Sequence, residues 1–520
     1  MKSIKFLLWD FARRHPILGR PIRFLAKIAT RNFDGSYRRQ LKRHKTALLP
    51  TDRYERPLEC PTQVFIVTDQ DADPDDLAGA RLLLNHLRIP YRFVELEHSP
   101  APSFPMTDGS ILLLLCDRPW QALSRLQSFG PSCKVLCVDA EEWPHTNMDR
   151  HLYHLQARFK DLLPWNQGLL SPLAASVVRL LMDAATIPLF TGMLPARVAL
   201  RLDDIAGRRF NDYLLPILKN GWKPNLGLFT DDVARADSGV RKVLADQSRE
   251  GWLETSPHAF SANDFIFFDF PHGRPWNEGE FLNRWNRVKR QFQDWSLPLS
   301  PVLNVHFHAL SRVCLPVLAE EGIRFHYSEL ALDQTGVAPG PQCLPSGDPM
   351  AATGSLGNKD FLQIYSGHST LNCNQPASLY DFLMHVKLSN QPLQSVERLL
   401  ERLRLTLHCG FASFVTTHEY LLAGLPRPIQ QTLWDQVNSG LSSLFPGSVQ
   451  KISMGELGRH CSDHTVTIVE SVRQAGSGRW TVQLSGSSSG TSCLVVFEKG
   501  RCREIPIPAF ETAHRMDITL

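Results

Sequence analysis

The sequence predicts an α/β protein built from a doubly wound parallel sheet, a distorted β/α barrel and a small antiparallel β module. Apolar strand-like runs that alternate with helical stretches predict the first two parts, because strands covered on both faces are apolar throughout. Alternating β-branched and polar residues near the end of the chain predict the third part. A chain of 520 residues, with 43% hydrophobic and 21% charged residues, is long enough for about two to four domains.

Residues 1–59 are predicted to form a basic amphipathic arm. Within residues 1–45, thirteen Lys or Arg face only Asp10 and Asp34, a net charge of +11, and Trp9 and several Phe are interleaved with them. The arm is too charged to span a bilayer, and its apolar run lacks the cleavage site of a signal peptide. Two interpretations stay open: peripheral contact with an anionic membrane, and packing on the protein itself. Nucleic acid is not an expected partner, because no reading motif is present.

Residues 60–185 are predicted to form a flavodoxin-like α/β domain. A strand ends near Val67, a helix covers 74–87, a second strand covers 91–96, and the runs ILLLLC and KVLCVDA continue the alternation. No glycine-rich motif follows the first strand, which argues against a dinucleotide. The acidic loop TDQDADPDD at 68–76 permits either a divalent-cation site or helix capping, and capping is the favoured interpretation.

Residues 190–430 are predicted to form the distorted β/α barrel. Strand-like runs alternate with helical stretches, and a polar or titratable cluster follows each strand-like run. Reactive groups at the carboxyl ends of several strands are typical of β/α barrels. The predicted strands are ARVALRLDDI, KPNLGLFT, LETSPHAFS, SPVLNVHFHAL, IRFHYSEL and FASFVTTHEYL; the predicted helices are NDYLLPILKNGW, DDVARADSGVRKVLADQSREGW, SRVCLPVLAEEG and PLQSVERLLERLRLTLHCG.

The predicted strand ends carry carboxylates and imidazoles, namely Asp203, Asp204, His258, His306, His308, His418 and Glu419. Such groups, converging from separate strands, suit Zn²⁺ or another divalent cation. Adjacent acids resist joint ionisation unless a cation or proton lies between them. The pair Asp203–Asp204 therefore predicts one carboxylate on a metal and one free to take a proton. Taken singly, each residue also has a structural interpretation as a cap, a turn or a core position.

The order of these motifs resembles the NodB-homology, or polysaccharide deacetylase, superfamily over about residues 190–425. LRLDDIAG is similar to the family's first motif, of Thr-Phe-Asp-Asp-Gly type, GWLETSPHAFS to its second, and FVTTHEYL to its late Leu-His motif. The chain departs from the family at Leu202, where an aromatic residue is usual, and at Ile205, where Gly is usual. Ala262 stands where the family has its second histidine, four residues after His258.

The resemblance implies that Asp203 is a general base, that His418 is a general acid, and that Asp204 and His258 bind the metal. A third ligand must then come from Asn263, Asp264, His306 or His308. His308 is preferred because HFHAL sits at a predicted strand end, just before a helix. The residues assigned to substrate binding are Arg201, Arg208, His306 and Glu419.

The resemblance further implies a metal-dependent deacetylase acting on an N-acetylated or O-acetylated sugar in bacterial surface or exopolysaccharide biosynthesis. The expected substrate is a glycan or a lipid-linked sugar. Two alternatives stay open: an inactive barrel that binds sugar or serves in assembly, and a glycoside hydrolase, which needs a pair of carboxylates about 5–9 Å apart.

Residues 455–520 are predicted to form the antiparallel β module, which packs against the barrel or holds glycan. The eleven cysteines are scattered, without the spacing of zinc ribbons or redox pairs. Such usage indicates reduced thiols and a cytoplasmic protein, peripheral to the inner membrane if the arm binds lipid.

Overall fold

The computed structural model is a mixed α/β protein with parallel sheets, which confirms the predicted class. The structure describes residues 64–69, 72–96, 109–116, 133–139, 152–163, 166, 169, 171–269, 271–272, 274–306, 310–311, 313–328, 362–365, 369–370, 392–445 and 449–520. The basic arm lies outside these ranges, so its contact with an anionic membrane stays a prediction. No helix within the described ranges is long and apolar enough to cross a bilayer.

Five parallel strands form the first sheet, in the order β2-β1-β3-β4-β5. These strands are β1 Val64–Thr68, β2 Tyr91–Glu95, β3 Ile111–Leu115, β4 Lys134–Asp139 and β5 Leu152–Gln156. Every residue of β1 and β3 is buried, as expected of central strands covered on both faces. This strand order is used by flavodoxin-like sheets. The flavodoxin-like assignment stays a prediction, because the connections after β2, β3 and β4 lie largely outside the described residues.

The acidic loop between β1 and the helix α1 (Pro74–His86) contains capping groups. The Asp73 side chain accepts a hydrogen bond from the backbone N–H of Asp75 at 2.9 Å and pairs with Lys160. Asp76, in the first helical turn, accepts from the backbone N–H of Lys160 at 2.8 Å. Carboxylates at a helix N-terminus favour the helix dipole, so these acids stabilise α1 and attach it to the following chain.

The strands of the central region are parallel and form two sheets. The first has the order β13-β14-β7-β8-β9, with the short β15 beside β7, and the second has the order β10-β11-β12. The strands are β7 Arg197–Ile205, β8 Asn225–Phe229, β9 Glu254–Ala259, β10 Val302–Leu303, β11 Phe325–Ser328, β12 Leu362–Tyr365, β13 Ser369–Thr370, β14 Ser413–His418 and β15 Gln450–Lys451. Strand pairing within the described residues does not join β9 to β10 or β12 to β13. The predicted distorted β/α barrel therefore stays a prediction.

Helices connect these strands and cover the sheets. They are α2 Pro172–Ala184, α3 Phe210–Lys219, α4 Thr230–Arg235, α5 Ser238–Arg249, α6 Glu278–Asp294, α7 Cys314–Glu320, α8 Pro392–His408, α9 Glu419–Leu422, α10 Arg427–Leu441 and α11 Met454–Val466; a 3₁₀ turn covers Phe159–Leu162. The prediction of a single helix from DDVARADSGVRKVLADQSREGW is wrong, because the helix is interrupted between α4 and α5. Asp237 accepts from the backbone N–H of Gly239 there and starts a new helix.

The C-terminal strands form two antiparallel sheets around a core of their own, with Trp480 and Val482 buried in it. The strand orders are β16-β17-β20 and β19-β18-β6, so β6 (Leu189–Thr191), which precedes the central region, completes the second sheet. The strands are β16 Ile468–Gly476, β17 Arg479–Ser489, β18 Cys493–Glu498, β19 Arg501–Pro506 and β20 Ala509–Thr519. The helix α11 instead packs in the main core, through residues such as Met454 and Leu457.

Among the cysteines that the structure describes, free thiols stand at Cys116, Cys314, Cys409, Cys493 and Cys502. Two of them are buried, and burial raises the pKa of the Cys409 thiol to about 12. Such a thiol stays protonated and packs as a small apolar side chain.

Candidate active site

The carboxyl ends of β14, β7, β8 and β9 lie next to one another in the six-stranded sheet. The pairing register sets His418, the last residue of β14, opposite Asp203 of β7. Phe229 and His258 stand at the ends of the next two strands. Groups from four separate segments of the chain are thereby brought to one edge of the sheet, where parallel α/β folds bind ligands.

A β-bulge explains how two adjacent acids reach the same site. Successive side chains of a regular strand point to opposite faces. From Leu202 to Ile205, however, β7 advances three residues while its partner β8 advances two. Asp204 has a left-handed φ of 60° within this bulge. Bulges re-aim side chains next to active sites, and here Asp203 and Asp204 both join the cluster at the strand ends.

Asp204, His258 and His306 place three ligand atoms within 4.8 Å of one another. Asp204 Oδ1 lies 3.3 Å from His258 Nε2 and 3.4 Å from His306 Nδ1. A tetrahedral zinc site, with bonds of about 2.0–2.1 Å, holds its ligand atoms about 3.3–3.4 Å apart. The two histidine nitrogens are 2.8 Å apart, so they need to separate by only about half an ångström to match that geometry.

The chemistry of this donor set also suits a cation. Asp204 Oδ1 is buried and accepts no hydrogen bond from any described residue. Burial raises the pKa of the Asp204 carboxyl, but His258, His306 and His418 together leave that pKa below its ordinary value. An ionised, buried oxygen without a donor is costly unless a positive charge lies against it. The three residues therefore fit a divalent cation such as Zn²⁺.

Asn304 fixes the orientation of His258. The imidazole Nδ1 lies 3.0 Å from both the backbone oxygen and the side-chain Oδ1 of Asn304. Since both partners are oxygen acceptors, Nδ1 carries the proton and Nε2 presents its lone pair toward Asp204 and His306. Hydrogen bonds of this kind to the second nitrogen set the tautomer and direction of metal-binding histidines.

A polar network in the interior of the sheet supports Asn304. The Asn304 side chain donates to Asn225 Oδ1 at 3.4 Å, and Asn225 in turn donates to Glu254 at 3.3 Å. Gly227 leaves the space that Asn304 needs, because a Cβ at that position would lie 2.6 Å from Asn304 Nδ2. The position of His258 thus depends on buried polar residues that extend away from the site.

Aromatic rings enclose the two histidines. The ring centroid of Phe229 lies 5.5 Å from that of His258 and 5.3 Å from that of His306. The Phe265 ring stacks on His306 with a centroid separation of 5.6 Å. Burial in this setting, together with the neighbouring His258, lowers the pKa of His306 to about 3. His306 is therefore neutral at ordinary pH, which is the form that binds metal ions.

Arg201 holds Asp203 in a bidentate ion pair. Its Nε and Nη2 donate to the two carboxylate oxygens at 2.7 and 2.9 Å, and both residues are buried. Burial is the largest effect and raises the pKa of Asp203. The charge and hydrogen bonds of Arg201, together with His258 and His418, outweigh it and keep the pKa well below its usual range. Arg201, predicted to bind substrate, here holds the carboxylate predicted to be the base, and its assignment to substrate stays a prediction.

We expect Arg201→Ala to lower the free energy of unfolding by about 3–5 kcal/mol, because it leaves the buried Asp203 charge without its partner. Urea denaturation followed by circular dichroism measures the change. Arg208→Ala is the matched control, since Arg208 is an exposed arginine in the loop after β7. Its free energy of unfolding should stay within about 0.5 kcal/mol of wild type. Equal stability losses in the two variants would contradict the ion-pair argument.

His418 ends β14 beside the two carboxylates. Its ring lies 5.2 Å from that of Tyr420, and its Nδ1 is buried without a hydrogen-bond partner among the described residues. The pairing register places His418 opposite Asp203, in the same strand-end cluster as Asp204. This placement is compatible with proton transfer at the site.

Glu419 was predicted to bind substrate, but its side chain is buried and binds the protein's own backbone. It accepts hydrogen bonds from the N–H groups of Ala206, Gly207 and Arg208 and from the Tyr213 hydroxyl. Burial raises the pKa of Glu419, and these donors partly offset that rise. Glu419 therefore organises the loop after β7, while the exposed Arg208 side chain remains a candidate for substrate contact.

The structure separates the four candidates for the third ligand. His306 joins Asp204 and His258, whereas His308 lies outside the described residues, so its assignment stays a prediction. Asn263 is exposed, and Asp264 instead pairs with Arg284 at 2.7 Å. His306, predicted both as a candidate third ligand and as a substrate-binding residue, is thus the described candidate with ligand geometry.

Three residues of the site were missed by the sequence analysis: Asn304, Tyr213 and Phe265. Asn304 lies two residues before His306, so the alternation of a strand was a readable signal that both face the same side. Tyr213 and Phe265 act through contacts with distant parts of the chain. No local pattern marks such residues, since many buried aromatic residues look alike in sequence.

Comparison with known proteins gives a likeness of fold. The sequence matches no protein-family model, and none of the curated proteins compared with it is similar. The crystal structure of Agd3, a carbohydrate deacetylase, matches with a TM-score of 0.50 and 8% identity over 88% of this chain and 99% of that one. A structure from Mycobacterium smegmatis assigned to the polysaccharide deacetylases matches with a TM-score of 0.37 and 11% identity, over 52% and 92%.

Proposed function

We propose that the protein is a metal-dependent carbohydrate deacetylase. The observation that carries this proposal is the cluster of Asp204, His258 and His306 next to an oriented carboxylate, Asp203, and a strand-end imidazole, His418. A cation site beside a base and an acid is what hydrolysis of an acyl group requires. The likeness of fold to Agd3 supports the same class of reaction.

Asp204, His258 and His306 would hold the metal through one oxygen and two nitrogens. This donor set suits Zn²⁺, and it also accepts other divalent transition metals. When bound, the cation supplies Lewis acidity toward an acyl carbonyl and toward water. Asn304 keeps the Nε2 lone pair of His258 directed at the site.

Asp203 and His418 divide the proton transfers. Asp203 takes a proton from the attacking water, and Arg201 keeps its carboxylate ionised and correctly oriented. As the bond between the acyl carbon and the amine nitrogen breaks, His418 donates a proton to that nitrogen. The products are acetate and a free amino sugar.

An acetylated sugar of a polysaccharide is the substrate that we propose. The support is chemical and comes from the fold: carboxylates and imidazoles meet at the carboxyl edge of a parallel sheet, on a fold similar to that of a carbohydrate deacetylase. An N-acetyl group is the favoured target, because an acid placed to protonate the departing group is needed more by an amine than by an alcohol.

Acetate release tests the proposal directly. Protein loaded with Zn²⁺ is incubated with N-acetylated glucosamine and galactosamine oligosaccharides and with O-acetylated xylan, and acetate is measured. We expect release from at least one amino-sugar polymer and its loss after chelation. Metal-loaded protein that produces new reducing ends without acetate would favour a glycoside hydrolase. Protein that binds the oligosaccharides without cleaving anything would favour the sugar-binding alternative.

A further inference from the structure

The carboxylate of Glu419 binds the loop that follows the bulge in β7. One oxygen accepts from the N–H of Ala206 at 2.8 Å, and the other accepts from Gly207 and Arg208 at 3.0 and 2.9 Å. The Tyr213 hydroxyl donates to that second oxygen at 2.8 Å. We call Glu419 and Tyr213 the loop clamp. Three successive backbone donors on one buried carboxylate form a concave anion site that the chain fills itself.

The loop clamp acts two residues beyond a strained part of the backbone. Asp204 has a φ of 60°, and Gly207 has a φ of 84°. A left-handed conformation costs a non-glycine residue free energy and persists only where the surrounding structure imposes it. The two residues that follow Asp204 are both held in place. Ile205 pairs with β8, and the N–H of Ala206 donates to Glu419.

The loop clamp also connects two strands of the site. Glu419 directly follows His418, whose strand partner is Asp203. The Glu419 carboxylate therefore connects the end of β14 to the loop after β7, next to the strand ends that carry His418 and Asp203. Loss of this connection would release the bulge without removing any residue that faces the metal.

We propose that Glu419 is a positioning residue that holds Asp204 in the conformation needed to bind the metal. The inference rests on the proposed function, because it requires a cation at Asp204, His258 and His306. Glu419 is not among the three residues whose ligand atoms could hold that cation. Its four hydrogen bonds within the chain leave it no free role in binding sugar.

Glu419→Gln is the informative substitution because it keeps the shape but halves the acceptors. If the amide oxygen faces Gly207, Arg208 and Tyr213, the amide nitrogen must face the N–H of Ala206, and two donors oppose each other. The opposite orientation sets the amide nitrogen against three donors instead of one. Even the less damaging orientation therefore loses the hydrogen bond from Ala206, which is the one nearest to Asp204. Metal affinity should fall by about 10- to 100-fold, as it does for other residues that orient ligands.

Asp463 provides a matched control. Its buried carboxylate also accepts from backbone N–H groups, those of Ser489 and Thr491, and from nearby hydroxyls. It fastens α11 to the C-terminal module, away from the candidate metal site. Asp463→Asn should lower thermal stability for the same reason as Glu419→Gln, but metal affinity should stay within about twofold because the two sites are independent.

Titration of the full-length apo-protein with Co²⁺, followed by visible absorption, tests the inference. We expect Glu419→Gln to bind Co²⁺ at least about tenfold more weakly, with a changed spectrum, and Tyr213→Phe to bind about two- to tenfold more weakly. If Glu419→Gln fails to fold, the Tyr213→Phe titration decides. Wild-type affinity in the foldable variants, or an equal loss in Asp463→Asn, would overturn the inference. Wild-type protein that binds no Co²⁺ would overturn both the inference and the proposed metal site.

Discussion

The Asp203→Asn protein should lose about 10²- to 10⁴-fold in the rate of acetate release while it still binds its metal, because the general base is removed and the metal ligands are kept. The amide keeps the size of the side chain but cannot take a proton from water. Asp204, His258 and His306 remain unchanged, so Co²⁺ affinity should change little. Single-turnover acetate release with metal-saturated protein measures the rate.

Asp264→Asn is the matched control for that experiment. Asp264 lies in the loop that follows β9 and pairs with Arg284, and the described geometry gives it no part in the metal cluster. We expect its rate to stay within about threefold of wild type, as for most substitutions away from a functional site. A loss of less than about tenfold in metal-saturated Asp203→Asn would remove Asp203 from the role of base.

Removal of the carboxylate ligand should abolish metal binding. We expect Asp204→Ala to lower Zn²⁺ or Co²⁺ affinity by more than the roughly 10- to 100-fold that follows loss of a residue that merely orients a ligand. The protein should remain folded, since Asp204 Oδ1 accepts no hydrogen bond from any described residue. Isothermal titration of the apo-protein, with elemental analysis of the purified protein, measures the effect.

Asp232→Ala controls for the loss of a carboxylate, because Asp232 follows the neighbouring strand β8 and pairs only with the exposed Arg235 among the described ion pairs. Its metal affinity should match wild type. Parallel His306→Ala and His308→Ala variants identify the third ligand: we expect the first to lose the metal and the second to retain it. Full Zn²⁺ in purified Asp204→Ala protein would contradict the assigned site.

Much of the secondary structure could be predicted because its causes are local. The helix over 74–86 was predicted within one residue, since Asp73 and Pro74 mark its start and apolar periodicity marks its length. The buried strands β1 and β3 were equally clear as short apolar runs. Where the prediction failed, at the break between α4 and α5, a capping residue, Asp237, interrupted a continuous helical pattern.

The residue types of the candidate site were also readable from the sequence, but their roles were less so. Asp203, Asp204, His258 and His418 all lie where predicted strands end. Arg201, assigned to substrate, is two residues from Asp203 on the same strand, and the alternation of side chains already favoured their pairing. Glu419 gave no such signal, because its partners lie more than two hundred residues earlier in the chain.

The sequence by itself determined the α/β class and which carboxylates and imidazoles stand at strand ends, because capping, periodicity and strand composition act over a few residues. Only the tertiary structure decided that Asp203 and Asp204 join one cluster and that His306 lies with His258 and Asp204. The bulge in β7, the left-handed backbone at Asp204 and the carboxylate that holds the next loop arise from pairing between distant segments. A metal site is a set of distances between such segments, and those distances depend on strand register and bulges, which local sequence does not fix.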